Sequence, residues 1–344
     1  MAGGAELNSL SWEGIPALEL RAGDCRALAL PGFGGHLISL EDELASYLRR
    51  PRNIAEYLLL PEAYGLPVLF PPNRIDSCTF SARGLDYRFP ASKGNFHLHG
   101  FLYNRPWQVD YINPIEPANS TEPANPASPS GTPADGTGHA GAELRLSFTS
   151  ALGGEVYRWF PHPFRARLFY RLEAGRLFQE IEIENRDSRP MPLMLGFHSA
   201  FALDRRQDDP AAYRISIGLG DALEKDRRGP APDRMAEFRR GKVPAGKEII
   251  WGQFFAGTYD REGKEERGLL IEHLRTGKKL RYIPDEQFGY WVVWNQNGVD
   301  TFICAEPQTC AINAANMHRE QDLFGFRMLE AGGTFRAKST LTIE

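Results

Sequence analysis

The stretch "RARLFYRLEAGRLFQEIEIEN", residues 165–185, decides the fold class. Each half alternates apolar with mostly charged side chains, and "EAG" at 173–175 separates the two halves. Because successive side chains of a strand point to opposite faces, each half has the pattern of a strand with one face against a core and one in water. The stretch therefore predicts an antiparallel hairpin.

Other segments repeat this pattern. "GLLIEHLRTGKKLRYIP" (268–284) predicts a second hairpin with Thr276 and Gly277 at its turn. "FGYWVVWN" (288–295) and "DTFICAEP" (300–307) have the composition of buried strands. Many strands joined by polar turns indicate an antiparallel sandwich or barrel, so we assign the chain to the all-β class. Helical periodicity is limited to "EDELASYLRR" (41–50) and "IAEYLLLPEAY" (54–64).

Residues 112–141, "INPIEPANSTEPANPASPSGTPADGTGHAG", are dominated by Pro, Ala, Ser, Thr, Asn and Gly. Such a segment cannot bury enough apolar surface to offset the entropy of ordering it. It is either a linker between two domains or a disordered loop inside one domain. Strand-like sequence on both sides, "RPWQVDYI" and "AELRLSFTS", favours the loop. We therefore predict a single domain over residues 1–344.

Composition excludes several classes of protein. A formal net charge of −4 without a large basic cluster argues against a nucleic-acid surface or a polybasic membrane patch. The four cysteines form no CxxC pair. No segment approaches the roughly 18 apolar residues of a membrane helix, and we see no signal peptide. We expect a cytoplasmic protein, monomeric or homodimeric, without nucleic-acid or membrane partners.

The segment "GNFHLHGF" (94–101) carries His97 and His99, which lie on one face if the segment is a strand. Two imidazoles on one face suit a metal ion, but a third ligand is expected close by, and the first acid after the pair is Asp110. We therefore predict that the protein holds no metal. The pair taken alone is equally compatible with ordinary hydrogen-bonded packing.

Further polar residues stand in apolar surroundings. A buried imidazole or an ionised carboxylate needs a partner or a solvent-lined cleft, although each of these residues taken singly is more simply a rim or turn residue. They are Asn73 and Arg74 in "PVLFPPNRIDSCTF" (67–80), His198 in "PLMLGFHSAFAL" (192–203) and Glu306 in "FICAEPQTCAINAANM" (302–317).

Together these segments resemble the aldose 1-epimerase (galactose mutarotase-like) family, in the family's order and over most of the chain. "LFPPNRI" is similar to the family's NRI segment, and "NFHLHG" to its N-x-L-H-G motif. "FHSAFAL" is similar to H-x-Y-F-N-L, and "CAEPQTCAINAAN" to E-P-x-x-x-x-x-N-A-x-N. The resemblance implies a large antiparallel β-sandwich of the supersandwich type. It also implies an isomerase that interconverts the anomers of an aldohexose without a cofactor.

The resemblance further implies site residues. Glu306 would take the proton of the anomeric hydroxyl while protonated His198 donates to the ring oxygen, which opens the ring. Arg74 and His99 would bind the sugar, with Asn73 beside them. Aromatic faces pack against the apolar faces of pyranoses, so the aromatic residues that could line the site are Tyr290, Trp291, Trp294 and Trp107. On their strand, Tyr290 and Trp294 share one face and Trp291 has the other.

The chain also departs from the family pattern. Ala200 and Ala202 replace the Tyr and Asn of the second histidine motif, and only Gln253 stands near the place where many members have an Asp. Two alternatives to a free-sugar epimerase therefore stay open. One is a non-catalytic carbohydrate-binding protein. The other is an epimerase of a hexose 6-phosphate or another derivatised sugar, for which the candidate cations are Arg83, Arg88 and Arg105.

Overall fold

A computed structural model gives the structure of residues 6–92, 94–115, 140–203, 212–225, 238–242, 255–259, 268–295, 302–317 and 324–344. Most of these residues belong to β-strands that pair in antiparallel fashion, which confirms the all-β prediction. The helices among the described residues are α1 (Ile54–Leu59) and α2 (Glu155–Trp159), and 3₁₀ turns lie at Pro61–Ala63 and Ala314–Asn316.

The strands of the described residues, in chain order, are β1 (Glu6–Trp12), β2 (Ile15–Ala22), β3 (Cys25–Ala29), β4 (Leu37–Glu41), β5 (Val68–Leu69), β6 (Arg74–Asp76), β7 (Thr79–Ala82), β8 (Leu85–Arg88), β9 (Phe96–Leu98), β10 (Gln108–Ile115), β11 (Gly141–Ser150), β12 (Phe164–Glu173), β13 (Arg176–Asn185), β14 (Met191–Leu193), β15 (Gly196–Phe197), β16 (Ser199–Ala202), β17 (Tyr213–Ile217), β18 (Leu219–Lys225), β19 (Phe238–Lys242), β20 (Phe255–Tyr259), β21 (Leu269–His273), β22 (Lys279–Pro284), β23 (Tyr290–Trp294), β24 (Phe302–Gln308), β25 (Arg327–Leu329) and β26 (Thr334–Ile343).

Two large antiparallel sheets form a sandwich. One sheet has the order β10-β11-β12-β13-β26-β22-β21-β17, and the other has the order β19-β18-β20-β23-β24-β15-β5, with β16 also paired to β24. Buried side chains of both sheets form one continuous core. Across it, the Ser199 hydroxyl of β16 donates to the Tyr282 hydroxyl of β22 at 2.8 Å, and the rings of Phe201 and Tyr282 lie 5.1 Å apart. The predicted sandwich is therefore confirmed.

The hairpin predicted at 165–185 forms β12 and β13. Their pairing runs from Phe164 opposite Asn185 to Glu173 opposite Arg176. Buried and half-buried residues alternate along most of β12, as the period-two pattern predicts. The turn contains Gly175 at φ +71°, a left-handed conformation that glycine adopts without steric cost.

Of the two predicted helices, the one at 54–64 is confirmed. It consists of α1 followed by the 3₁₀ turn Pro61–Ala63. The Asn53 side chain caps α1 by accepting the backbone N–H of Glu56 at 2.9 Å. Within the described ranges, no helix is long and apolar enough to cross a membrane.

The helix predicted at 41–50 is wrong. The carboxylate of Asp42 accepts the backbone N–H groups of Leu44 and Ala45 at 2.8 and 2.7 Å, which closes a turn in place of a helix. The same carboxylate accepts a hydrogen bond from Lys278, 236 positions along the chain, at 2.8 Å. A tertiary partner therefore stabilises the turn, and the weak helical periodicity of the segment cannot compete.

The Pro-rich segment begins later than predicted. Residues 112–115 belong to β10, and Ile115 lies opposite Gly141 of β11. Residues 116–139 lie outside the described part of the chain. The antiparallel pairing of β10 with β11 is the arrangement that a hairpin connection requires. The assignment of the chain to a single domain stays a prediction.

Gly100, two residues after the end of β9, lies in close contact with the backbone of Phe70. Its φ is +71°, and a Cβ atom on it would lie 2.0 Å from the carbonyl oxygen of Phe70. Gly100→Ala should therefore reduce the free energy of unfolding by about 2–4 kcal/mol, measured by urea denaturation, because left-handed strain and a backbone clash act together.

Gly94→Ala is the matched control for this substitution. Gly94 has a φ of +62°, but a Cβ atom there would meet nothing within 4 Å. Its loss should be limited to the roughly 1–2 kcal/mol of left-handed strain. Equal losses in the two variants would mean that the Phe70 carbonyl moves away at little cost.

Candidate active site

Glu306 lies on β24, which is buried along its whole length and pairs with β23 on one side and with β15 and β16 on the other. Because side chains alternate along a strand, Cys304, Glu306 and Gln308 share the face opposite to the core residues Ile303 and Ala305. The Glu306 side chain is 1% exposed. A carboxyl group this deeply buried needs polar partners.

Glu306 has three such partners. The Nε2 atom of His198 lies 3.3 Å from its Oε1 atom. The indole N–H of Trp294 donates to the same oxygen at 2.7 Å, and the amide of Gln308 donates to Oε2 at 3.2 Å. His198 follows β15 and precedes β16, and both strands pair with β24, so sheet pairing itself brings the imidazole to the carboxyl group.

His99 completes the cluster. It follows the last residue of β9 and has a φ of +62°, and its backbone N–H donates to the carbonyl of Asn73 at 2.8 Å. Its ring lies 4.9 Å from the ring of His198, nearly perpendicular to it. Ligand atoms of His99, His198 and Glu306 all lie within 4.8 Å of one another. Three predicted site residues, from three separate segments, are thus in one place.

Arg74 is exposed beside this cluster. It is the first residue of β6 and lies opposite Leu98 of β9, next to His99, with its guanidinium 4.6 Å from the centre of the Phe96 ring. The 3₁₀ turn Ala314–Asn316 is anchored to β6, because the side chain of Asn313 accepts the backbone N–H of Asp76 at 3.0 Å. The segment that resembles E-P-x-x-x-x-x-N-A-x-N therefore holds the strand that carries Arg74.

His97 has different surroundings from His99. Its Nδ1 atom lies 2.8 Å from the carbonyl oxygen of Pro90, and its ring stacks on Phe89 at 4.8 Å. The expectation that the two histidines share a strand face does not hold, because β9 ends at Leu98 and the left-handed backbone of His99 breaks the alternation. His97 is a packed neighbour of the cluster, and a positive charge on it would lower the pKa of His99.

The predicted aromatic residues separate as their strand faces require. Trp291 is fully buried in the core between the sheets. Trp107 also belongs to the core and is almost completely buried. Trp294 faces Glu306. Tyr290 is buried on the same side of β23. It lies opposite Gln308, which is two positions after Glu306 on β24. Its contact with substrate stays a prediction, and Gln253 lies outside the described residues.

The model of the aldose 1-epimerase family matches residues 16–342. The chain belongs to this family. The resemblance seen in its four motifs is thereby confirmed.

Solved structures of the same fold agree with this membership. A galactose mutarotase-like protein of Clostridium acetobutylicum is 26% identical, with a TM-score of 0.81 and 99% of each chain covered. Galactose 1-epimerase of Lactobacillus acidophilus is 12% identical, with a TM-score of 0.66 and 99% of each chain covered. A galactose mutarotase-like protein of Lactobacillus casei is 15% identical, with a TM-score of 0.66, covering 95% of this chain and all of the other.

Burial sets the protonation of the cluster in this member of the family. It lowers the pKa of His198 to about 3 and that of His99 well below its usual value. Burial also raises the pKa of Glu306 to about 8, against the opposing effect of the Trp294 and Gln308 hydrogen bonds. At neutral pH, Glu306 and His198 therefore share one proton and carry no net charge, with the proton favoured on the carboxyl group.

The same three side chains are a possible ligand set for a divalent metal ion. Two neutral imidazoles and a carboxylate are donors that zinc accepts. Both carboxylate oxygens of Glu306, however, already accept hydrogen bonds from Trp294 and Gln308. The donor set therefore fits a metal only in part, and the expectation of a metal-free site stays a prediction.

Sequence reasoning missed Gln308 and the role of Trp294. Gln308 stands two positions after Glu306, so strand alternation places both on one face and provided the signal. Trp294 was recognised as an aromatic residue on the correct face of its strand. Its bond to Glu306, however, depends on the register that puts it opposite Cys304, which a single sequence does not show.

The raised pKa of Glu306 makes a prediction about stability. Folding raises this pKa from 4.5 to about 8, so between these pH values the folded state holds a proton that the unfolded state releases. The contribution of Glu306 to the free energy of unfolding should therefore fall as pH rises from 5 to 8, while the lowered pKa values of His99 and His198 act in the opposite direction up to the usual histidine pKa. Glu306→Gln should remove this fall, so that its stability relative to wild type grows by about 2–4 kcal/mol over the range.

Urea denaturation at several pH values measures this difference. Glu286→Gln, at an exposed position, is the control and should follow wild type at every pH. A stability difference between Glu306→Gln and wild type that stays constant from pH 5 to pH 8 would contradict the assignment of a protonated Glu306.

Proposed function

We propose that the protein is an aldose 1-epimerase that interconverts the α and β anomers of an aldohexose by acid–base opening and closure of the ring. The observation that supports it best is the 3.3 Å approach of His198 to Glu306 in a buried site that holds one proton between them. Ring opening needs one group that accepts a proton and one that donates it, and this pair supplies both.

The proton balance of the reaction fits this pair. The shared proton first moves from Glu306 to His198, which lie 3.3 Å apart. The ionised Glu306 then takes the proton of the anomeric hydroxyl while protonated His198 donates a proton to the ring oxygen. This step leaves an open-chain aldehyde, a protonated Glu306 and a neutral His198. Rotation about the bond between C1 and C2 and reversal of both transfers close the ring on the other face.

Burial favours the protonation state that the pair has in the middle of this reaction. A protonated Glu306 and a neutral His198 are the forms left after ring opening, and they are also the forms that the shifted pKa values favour. The buried site therefore stabilises the open-chain stage relative to the charged pair that precedes it. Each residue swaps its role on the return, as a reversible reaction requires.

The other predicted residues have supporting positions in this proposal. His99 lies against His198 and would hydrogen-bond the sugar near its ring oxygen. Arg74 would donate its planar fork of N–H groups to sugar hydroxyls. Asn73 contributes its backbone carbonyl, which holds His99, and its side chain is a candidate contact with the sugar.

The non-catalytic alternative has less support. A protein that only bound sugar would have no use for a buried carboxyl and imidazole in contact, since their burial costs folding free energy. The three arginines predicted for a phosphorylated substrate also have other roles. Arg88 is largely exposed and 4.0 Å from Asp86, Arg105 donates to Glu155 at 3.1 Å, and Arg83 lies in the turn between β7 and β8.

Substitution of the carboxyl group tests the proposal. Glu306→Gln keeps the size of the side chain but cannot accept the proton. It should lower kcat for mutarotation by about 10²- to 10⁴-fold. Polarimetry on freshly dissolved α-D-glucose and α-D-galactose, and NMR saturation exchange on glucose 6-phosphate, measure the rate. Normal rates in Glu306→Gln, with Glu286→Gln as the control, would overturn the mechanism.

Arg74→Ala tests the role of the exposed guanidinium. Because Arg74 would bind the sugar without transferring a proton, the variant should raise KM by about 10-fold while kcat changes by less than about 3-fold. Arg88→Ala, a largely exposed arginine on β8, is the matched control and should leave both constants unchanged. A fall in kcat with an unchanged KM would move Arg74 into the chemical step.

A further inference from the structure

Arg49 is a cation on the same side of the second sheet as Glu306. The backbone N–H of Arg49 donates to the carbonyl of Ala200 at 2.8 Å, so the backbone at Arg49 lies along the edge of β16. The carbonyl of Arg49 accepts the backbone N–H of Gly65 at 3.0 Å. Its guanidinium lies 3.6 Å from the centre of the Phe302 ring and 4.7 Å from that of Tyr64. Two aromatic rings thus fix the position of the charged group.

The guanidinium has few hydrogen-bond partners. Its Nη1 atom donates to the carbonyl of Ala63 at 3.3 Å, while its Nε atom is buried and has no partner. Within the described ranges, no carboxylate forms an ion pair with it. A guanidinium offers five N–H donors, and a half-buried one without a counter-charge is unfavourable unless something else binds it. Arg50, by contrast, pairs with Glu41 at 3.2 Å.

Contacts connect Arg49 to the catalytic pair. Phe302, under the guanidinium, meets the ring of Trp294 edge-on at 5.7 Å, and Trp294 donates to Glu306. The charge of Arg49 is close enough to lower the pKa of His198 and to oppose the effect of Glu306 on the Cys304 thiol. Two aromatic side chains, Phe302 and Trp294, therefore connect Arg49 to the carboxyl group of Glu306.

The departures from the family motif lie at this same place. Ala200 and Ala202, which stand where the motif has Tyr and Asn, pair with Cys304 and Phe302 of β24. The side chains of β16 beside Arg49 are therefore short and apolar, where the motif has polar ones. Such a change alters which substituent of a sugar can be bound beside the catalytic pair.

We propose that Arg49 binds an oxyanion substituent, a carboxylate or a phosphate, that the sugar substrate carries. An oxyanion would occupy the free donors of the guanidinium and supply the counter-charge that the described residues do not. This inference rests on the proposed epimerase function and narrows its substrate class from any aldohexose to an anionic one.

NMR exchange kinetics with glucose, glucuronate and glucose 6-phosphate test the inference, since the two charged sugars distinguish a carboxylate from a phosphate. Wild type should have a higher kcat/KM for one charged sugar than for glucose. Arg49→Met should lower that value by about 10- to 100-fold, at least 10-fold more than it lowers the value for glucose. Arg49→Lys, which keeps the charge but loses the planar fork, should have a kcat/KM for the charged sugar between those of wild type and Arg49→Met.

Arg50→Met is the matched control and should leave all three values unchanged. Equal losses for the charged and neutral sugars in Arg49→Met would overturn the inference, and so would a wild type that prefers glucose. Thermal melts of each variant separate loss of binding from loss of folding.

Calorimetric binding of the two charged sugars to wild type and Arg49→Met separates this inference from the proposed function. If wild type accelerates exchange of none of the sugars, the proposed function fails. Binding that weakens 10-fold or more in Arg49→Met would still support the anion site in that case, whereas unchanged or undetectable binding would overturn it.

Discussion

The contact between Glu306 and His198 is the interaction on which the rest of the site depends. A carboxyl group in the middle of a buried strand is costly, and the sheet compensates with partners from neighbouring strands on both sides. Trp294 comes from β23, and His198 comes from the junction of β15 and β16. The rigid sheet therefore fixes the distance between the two groups, and burial keeps a single proton between them.

The opposite wall of the site is built from strained backbone. Asn73, His99 and Asn313 all have left-handed φ values near +60°, which non-glycine residues seldom adopt. Each is held by its surroundings. His99 donates to Asn73, the side chain of Asn313 accepts from β6, and Gly100 passes directly against Phe70. Strain of this kind persists only where packing fixes the chain, and here it fixes the orientation of an imidazole.

Local pattern was sufficient for the all-β class and insufficient for details of the site. The hairpin at 165–185 was predictable because alternation reflects burial alone, whatever the partner strands are. The helix at 41–50 was not, because a lysine 236 positions away stabilises a turn at Asp42. Glu306 and His198 were predicted as site residues through motif resemblance. The bond from Trp294 depends on strand register, and the left-handed turn at His99 is invisible to period-two reasoning.

The bond between Asn313 and Asp76 joins segments 237 positions apart. Chains dominated by such distant contacts fold slowly, because loop closure costs entropy before any contact forms. Neither half of the polypeptide contains all residues of the proposed sugar site, since Arg74 and His99 come from the first half of the chain and Glu306 from the second. The proposed binding of a sugar would therefore require the fully folded chain, and a bound sugar would in turn stabilise the folded state in which these segments meet.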